Sequence, residues 1–155
     1  MADIAIIADK RVSAPWMDAL LSLDHNVVCF EDAVAFGAEF DQSELDIMIV
    51  DVARPNQGEA LLIAQARAEW PSAKVIAAVS SYKFRSSAVY KMGLWSPDYL
   101  LVHPVSARVL QATVSFLWAQ IRTDRIMSRL ARSGRTPTLA APPLPMVRRP
   151  GARGH

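Results

Sequence analysis

The chain has 155 residues, 52% of them hydrophobic, and a formal net charge of +2 at pH 7. This size and apolar content predict one folded domain, and no apolar run approaches the roughly 18 residues that a membrane helix needs. The N-terminus carries Asp3 and leads straight into an apolar strand, which is not the pattern of a signal peptide. Cys29 is the only cysteine, so an internal disulfide is excluded, and its strand setting favours a small core residue over a nucleophile. We therefore expect a cytoplasmic protein with no membrane contact.

Charge and proline content divide the chain. Residues 1–121 contain nine Lys/Arg and fourteen Asp/Glu, a net charge of −5, whereas residues 122–155 contain eight Arg and one Asp, a net charge of +7. Five of the ten prolines follow residue 136. Such a basic, Pro-rich segment buries too little apolar surface to offset the entropy of ordering it. We expect a domain at 1–121, a helical extension at 122–133 and a disordered tail at 134–155.

The first half of the domain alternates strands and helices. Residues 4–8 predict an apolar strand, Ser13 an N-cap with Pro15 in the first helical turn, and residues 26–30 a second strand. A short helix opens at residues 31–32. Residues 47–50 are four consecutive apolar residues, too few for a helix and without polar alternation, so they predict a strand buried on both faces.

The second half continues the alternation. It predicts a helix at 59–69 that Pro71 stops, a strand at 74–79, a helix at about 83–92, a strand at 98–102 and a last helix capped by Ser106. Five strands and five helices in strict alternation, joined by right-handed crossovers, give a doubly wound α/β fold. We expect a five-stranded parallel sheet with helices on both faces.

Asp51 ends the third strand. In an open α/β sheet, ligands bind at the carboxyl ends of the strands, so this carboxylate is a candidate site residue. Aspartate is also common before loops, and a role as a turn cap is the alternative. The strand run by itself does not decide between the two.

Polar residues and prolines at the other strand ends supply a pattern. In chain order they are Asp9, Asp51, Pro55, Ser80 or Ser81, Gly93, residues 98–100, and His103 followed by Pro104. This order, over residues 3–121, resembles the receiver domains of two-component response regulators, which have a flavodoxin-like (CheY-like) fold. None of these matches is specific to the family by itself, but their order along the chain, at the ends of the strands, is specific.

The resemblance implies a chemistry for these residues. Asp51 falls on the phospho-acceptor position, Ser80 or Ser81 on the hydroxyl position, and His103 on the family's lysine, whose peptide bond to the following proline is usually cis. Asp9, Asp51 and the Ala53 carbonyl would hold Mg²⁺. Two carboxylates about 4 Å apart repel by roughly 1 kcal/mol in water and about 4 kcal/mol at an effective dielectric constant of 20, which a divalent cation relieves.

Three departures indicate an atypical receiver. Ala8 replaces the first acid of the family's acidic pair, which predicts weaker metal binding. His103 replaces the lysine, and a histidine lacks a permanent charge on a long stem. The alternative interpretation of His103 is a strand-end residue with no ligand role. The predicted fourth helix and its exit loop align poorly with the family, which leaves the choice of serine open and puts Leu100, not Tyr99, at the usual aromatic switch position.

The last helix is longer than a receiver requires. Its apolar residues recur at helical spacing to about residue 133, and Arg122, Arg125, Arg129 and Arg132 stud its second half. This half is exposed to solvent, packs on a partner helix, or contacts nucleic acid or membrane, in falling order of expectation. The resemblance adds a homodimer as a further expectation. No aromatic interleaving or DNA-binding motif supports sequence-specific nucleic-acid contact.

Two functions fit these residues. The first is a single-domain receiver, not an enzyme, that relays a phosphorelay signal: Asp51 accepts phosphate from a histidine kinase or phosphotransfer protein, and the domain then changes its contacts with a downstream protein. The second is a phosphorylation-independent pseudo-receiver that acts as a scaffold. A nucleotide or flavin site is disfavoured, because no glycine-rich phosphate loop follows the first strand.

Overall fold

The computed structural model describes residues 1–41, 44–52, 57–80 and 97–134. Several predicted features lie outside these residues: Ala53 and Pro55, Ser81, the helix at about 83–92 with Gly93, and the tail beyond residue 134.

The described residues form five strands and four helices in the predicted alternation. The strands are β1 (Asp3–Ile7), β2 (Asn26–Phe30), β3 (Ile47–Val52), β4 (Lys74–Val79) and β5 (Tyr99–Val102). The helices are α1 (Lys10–Leu21), α2 (Ala33–Glu39), α3 (Gln57–Glu69) and α4 (Ala107–Arg132). The predicted strands β2 and β4 are confirmed to the residue, while α3 begins two residues before the predicted Glu59.

All strand pairs are parallel, and the sheet has the order β2-β1-β3-β4-β5. β3 therefore lies in the middle, and the four residues from Ile47 to Val50 are all fully buried. Met48 and Val50 belong to one core cluster, whereas Ile47 and Ile49 belong to the other. The predicted doubly wound α/β fold with a strand buried on both faces is confirmed.

Each face of the sheet has its own core. One cluster joins the sheet to α2 and α3, and includes an aromatic group of Phe30, Phe36, Phe40 and Trp70. The other joins it to α1 and α4 through Trp16, Leu20, Leu110, Val114, Leu117 and Ile121. Full burial of one such apolar side chain contributes roughly 1.5–3 kcal/mol, so these two layers supply most of the driving force for the fold.

Helix α1 begins earlier than the sequence predicted. Its N-cap is Asp9, whose Oδ1 accepts a hydrogen bond from the backbone N–H of Arg11 at 2.8 Å. The prediction of Ser13 as the cap is wrong, because Ser13 is a buried residue inside the helix. β1 ends at Ile7, which leaves only one residue before Asp9, and aspartate caps a helix as well as serine does. Pro15 consequently lies inside the helix rather than in its first turn.

Cys29 behaves as the sequence predicted, as a packing residue of β2. It is partly buried against the α1 and α4 core, and its Sγ lies 3.3 Å from Sδ of Met17. Burial raises the pKa of the Cys29 thiol, and a hydrogen bond with Ser13 opposes this in part. A raised pKa disfavours the thiolate, the nucleophilic form.

By its internal contacts the chain divides into two units, Met1–Arg122 and Thr123–His155. The first contains the sheet and its helical layers. In the second, the described residues belong to the end of α4 and to the turn after it, and nearly all are exposed. No helix among the described residues is both long and apolar enough to cross a bilayer. The three-part division at 121 and 133 stays a prediction, since its tail lies outside the described residues.

Candidate functional site at the carboxyl edge of the sheet

The strand register brings the predicted site residues to one edge of the sheet. Asp51, the penultimate residue of β3, pairs with Ala78 of β4. Ser80 follows directly on β4, and His103 follows directly on β5, whose last residue pairs with the last residue of β4. Asp9 comes two residues after β1, whose last residue pairs with the residue before Asp51. All four residues therefore lie at the carboxyl edge, where open α/β sheets bind ligands.

The central contact of this edge joins Asp51 and His103. Oδ1 of Asp51 lies 2.6 Å from Nε2 of His103. An ionised carboxylate has no proton to give, so Nε2 carries the proton and donates it. A hydrogen bond to an ionised carboxylate is charge-assisted, and such bonds are stronger than those between neutral groups. The Asp51 side chain is only 8% exposed and that of His103 28%, so this bond gives a nearly buried carboxylate a hydrogen-bond donor.

Two further contacts fix the position of His103, one through its backbone and one through its ring. Its backbone N–H donates to the carbonyl of Val79 at 2.8 Å, which ties the residue to the end of β4. Its imidazole stacks on the indole of Trp16, with ring centroids 5.9 Å apart and planes 13° from parallel. The His103–Pro104 peptide bond is cis, as the resemblance implied. The sequence pattern identified Trp16 only as part of an apolar helical stripe, and its contact with the site was missed.

Asp9 and Ala8 occupy the end of β1 in different ways. Asp9 is exposed, and its carboxylate serves as the N-cap of α1. Ala8 is 4% exposed, and its backbone N–H donates to the carbonyl of Phe30 at 2.9 Å. The position of the family's first acid therefore presents a buried methyl group, and Asp9 supplies the carboxylate of this strand end.

Two carboxylates at this edge, those of Asp9 and Asp51, are of the kind that binds metal ions. No group of three or more His, Cys, Asp or Glu side chains that could hold a metal ion occurs among the residues that the structure describes. Asp9 and Asp51 nevertheless lie at the ends of neighbouring strands, and Mg²⁺ is commonly bound by one or two carboxylates while it keeps several waters. The donor set fits a Mg²⁺ ion that remains largely hydrated. Ala53, the predicted third ligand, lies outside the described residues.

Ser80 is the one candidate hydroxyl in the described part of the chain. It is exposed and follows the last residue of β4, one strand away from Asp51 and adjacent to the strand that carries His103. The other candidate, Ser81, lies outside the described residues. The choice between the two serines therefore stays a prediction.

A second polar contact lies at the opposite, amino edge of the sheet. His25 is 8% exposed, and its Nδ1 accepts a hydrogen bond from the backbone N–H of Ala2 at 3.1 Å. Its ring meets that of Trp118 edge to face, with centroids 6.5 Å apart. The two residues line an open cavity of about 380 Å³ together with Met1, Leu23, Asp24, Ser115, Ala119 and Arg122. The sequence pattern did not single out this contact.

Comparison with known proteins identifies the fold through structure. No protein-family model matches the chain, and no curated protein matches its sequence. Among solved structures, a CheY-like receiver domain protein from Methanospirillum hungatei JF-1 is similar with a TM-score of 0.68 and 16% identity, covering 80% of this chain and 98% of that one. The chemotaxis response regulator CheY4 of Vibrio cholerae has a TM-score of 0.64 and 16% identity, covering 76% and 98%.

A third structure contains a ligand. It is the response regulator protein TrrA from Thermotoga maritima in complex with Mg²⁺ and BeF, with a TM-score of 0.61 and 18% identity, covering 76% of this chain and 99% of that one. At such identities the likeness is one of fold. The chain has the five-stranded α/β fold of response-regulator receiver domains.

Proposed function

We propose that the protein is a receiver-type signalling switch of a two-component phosphorelay, acting in the cytoplasm through protein contacts rather than as an enzyme. Asp51 accepts a phosphoryl group from a histidine kinase or phosphotransfer protein, and the domain then binds a different downstream protein, or a second copy of itself. The observation that carries the proposal is the pair of Asp51 and His103, 2.6 Å apart at the carboxyl edge of a receiver fold.

The transfer uses the nucleophilic oxygen of a carboxylate. An oxygen of Asp51 attacks the phosphorus of the donor, the bond between phosphorus and the donor's imidazole nitrogen breaks, and the donor leaves as a neutral imidazole after it gains a proton from solvent. The product is an acyl phosphate on Asp51. Little covalent chemistry falls to the protein, so its contribution is positioning and electrostatic stabilisation.

His103 supplies the donor for the transferred group. Its Nε2–H already points at Oδ1 of Asp51 and can shift to an oxygen of the phosphoryl group, which brings a charge of about −1.5 to −2. Asp9 and Asp51, with the Ala53 carbonyl that the resemblance adds, would hold Mg²⁺. When bound, that ion offsets the negative charge of the phosphoryl oxygens.

The hydroxyl of Ser80 or Ser81 is the proposed switch element. Ser80 follows β4, between the strands that carry Asp51 and His103. A phosphoryl oxygen is a strong hydrogen-bond acceptor, so it would draw the serine hydroxyl towards it and change the surface at the end of β4. Partners that bind this side of the domain would then distinguish the two states.

A pseudo-receiver is the second candidate function. Ala8 removes one carboxylate from the edge, and His103 already occupies Oδ1 of Asp51, an arrangement that a phosphorylation-independent scaffold could keep permanently. Such a protein would bind a constant partner whatever the state of Asp51. The buried methyl group of Ala8 is the specific observation that favours this candidate.

Labelling with acetyl phosphate distinguishes the phosphorylated receiver from the pseudo-receiver. Incubation of the full chain with Mg²⁺ and acetyl phosphate, followed by intact-mass spectrometry, should add the mass of one phosphoryl group. Asp51→Asn, which is nearly isosteric, should abolish that gain. If the wild-type mass does not change and Asp51→Asn keeps the protein's activity in cells, the pseudo-receiver is the correct function. A gain that survives Asp51→Asn would reject Asp51 as the acceptor.

A further inference from the structure

We propose that Trp16 is a positioning residue for His103. Its indole face fixes the imidazole plane so that Nε2 stays directed at Asp51. This role rests on the proposed function of Asp51, but its geometric part can be tested without phosphorylation. The juxtaposition of Trp16, His103 and Asp51 carries it.

The indole of Trp16 is a rigid platform. Trp16 is 3% exposed and belongs to the core cluster between α1, α4 and the sheet, which also contains Ala8 and Leu101. A side chain that is buried to this extent has essentially one orientation, because core side chains interdigitate with few voids. The separation of 5.9 Å and the angle of 13° between its ring and that of His103 are those of an offset stack.

Histidine needs such a platform more than lysine does. A lysine ammonium is a compact charge with three donors on a flexible stem, and it can meet a phosphoryl oxygen from many conformations. An imidazole has a short stem and donates only in the plane of its ring, so a rotation of the ring removes the donor from Asp51. With the indole on one face and Asp51 at the edge, the ring of His103 has one productive orientation.

The geometric part is tested by the Nε2 proton of His103. In ¹⁵N-labelled full chain, this proton should give a slowly exchanging resonance, assigned by its loss in His103→Gln. Trp16→Phe, which retains an aromatic face, should keep the resonance, and Trp16→Leu should lose it to exchange. A resonance that is unchanged in Trp16→Leu would overturn the positioning role.

The functional part is tested by a double-mutant cycle on the rate of labelling by acetyl phosphate. Trp16→Leu should slow labelling by about three- to tenfold, the range expected for loss of the ring stack that keeps Nε2 directed at Asp51. In a His103→Gln background the same substitution should have no further effect, because Trp16 acts only through His103. An equal slowing in both backgrounds would mean a purely structural role and would overturn the proposal.

Loss of core packing is controlled by Leu20→Ala. Leu20 lies on α1 in the same core cluster and is fully buried, so its truncation destabilises the domain comparably. We expect Leu20→Ala to leave the His103 resonance and the labelling rate unchanged at temperatures where the domain stays folded. If the wild type is not labelled at all, the proposed function fails, while the resonance still decides whether Trp16 positions His103.

Discussion

Asp51 and His103 meet across an intervening strand: β4 lies between β3 and β5, yet Oδ1 and Nε2 are 2.6 Å apart. The residue of β4 that pairs with Asp51 is Ala78, which is fully buried. On the other side, Ala8 comes one residue after Ile7, the partner of the residue before Asp51. Alanine flanks Asp51 in both directions along the sheet, and a small side chain at position 78 leaves room for the two polar side chains to join.

The Asp51–His103 bond should contribute to stability. His103→Ala leaves a carboxylate that is 8% exposed without this donor, and an unsatisfied buried group costs about 1–3 kcal/mol. We expect the free energy of unfolding in urea at pH 7 to fall by that amount. Asp51→Ala/His103→Ala should cost less than the sum of the two single variants. Additive costs would show that the two residues are not coupled.

The capping role of the Asp9 carboxylate and its proposed role as a metal ligand can be tested separately. Asp9→Ala removes the N-cap of α1 and should lower the free energy of unfolding by about 0.5–2 kcal/mol, whereas Asp9→Asn keeps a capping oxygen and should cost little. Both variants should weaken Mg²⁺ binding in isothermal titration calorimetry. Asp32→Ala is the matched control, because Asp32 caps α2 through a bond to Ala35: it should lose stability and keep Mg²⁺ affinity. Wild-type Mg²⁺ affinity in Asp9→Asn would contradict a ligand role for Asp9.

Restoring an acid at position 8 should strengthen metal binding. Ala8→Asp places a second carboxylate at the end of β1, so Mg²⁺ affinity should rise, and by tenfold if the new contact is worth about 1.4 kcal/mol. The position is 4% exposed, so without Mg²⁺ the variant should be less stable than the wild type. Ala8→Asn has nearly the same volume without the charge and should not raise the affinity. Equal Mg²⁺ affinities in Ala8→Asp and wild type would contradict this prediction.

Stability should fall on the acidic side of neutrality because of His25. Burial, and then the positive charge of the N-terminus, lower the pKa of His25 below its ordinary value of 6.5, with Asp24 acting in the opposite direction. The folded state therefore binds this proton less readily than the unfolded state, and the stabilisation present above pH 6.5 is lost as the pH falls below it. Protonation would also give Nδ1 a hydrogen and end its bond with the Ala2 N–H.

Urea unfolding between pH 7.5 and pH 5 measures this effect. The difference in unfolding free energy between wild type and His25→Gln should shrink as the pH falls through 6.5, since glutamine does not titrate. A difference that stays constant over this range would mean that His25 is not the group responsible. Carboxylates common to both proteins cancel in the comparison.

The alternation of strands and helices could be predicted from sequence, because it depends on short-range periodicity. The apolar run at 47–50, the break at Pro71, the helix start at residues 31–32 and the cap at Ser106 are local signals, and β2 and β4 are confirmed to the residue. The prediction of an N-cap at Ser13 was wrong because two good capping residues, Asp9 and Ser13, lie four residues apart. Only the position where β1 ends decides between them.

The composition of the strand ends was likewise determined by the sequence: Asp9, Asp51, Ser80 and His103 each follow or end an apolar run, and parallel strands bring such ends to one edge. Only the tertiary structure decided how these residues meet. The order of the strands and the size of Ala78 allow Asp51 to reach His103, and the packing of α1 on the sheet brings Trp16 under the imidazole. Both contacts join residues that are distant in the chain, and their formation depends on register and side-chain volume, which local patterns do not encode.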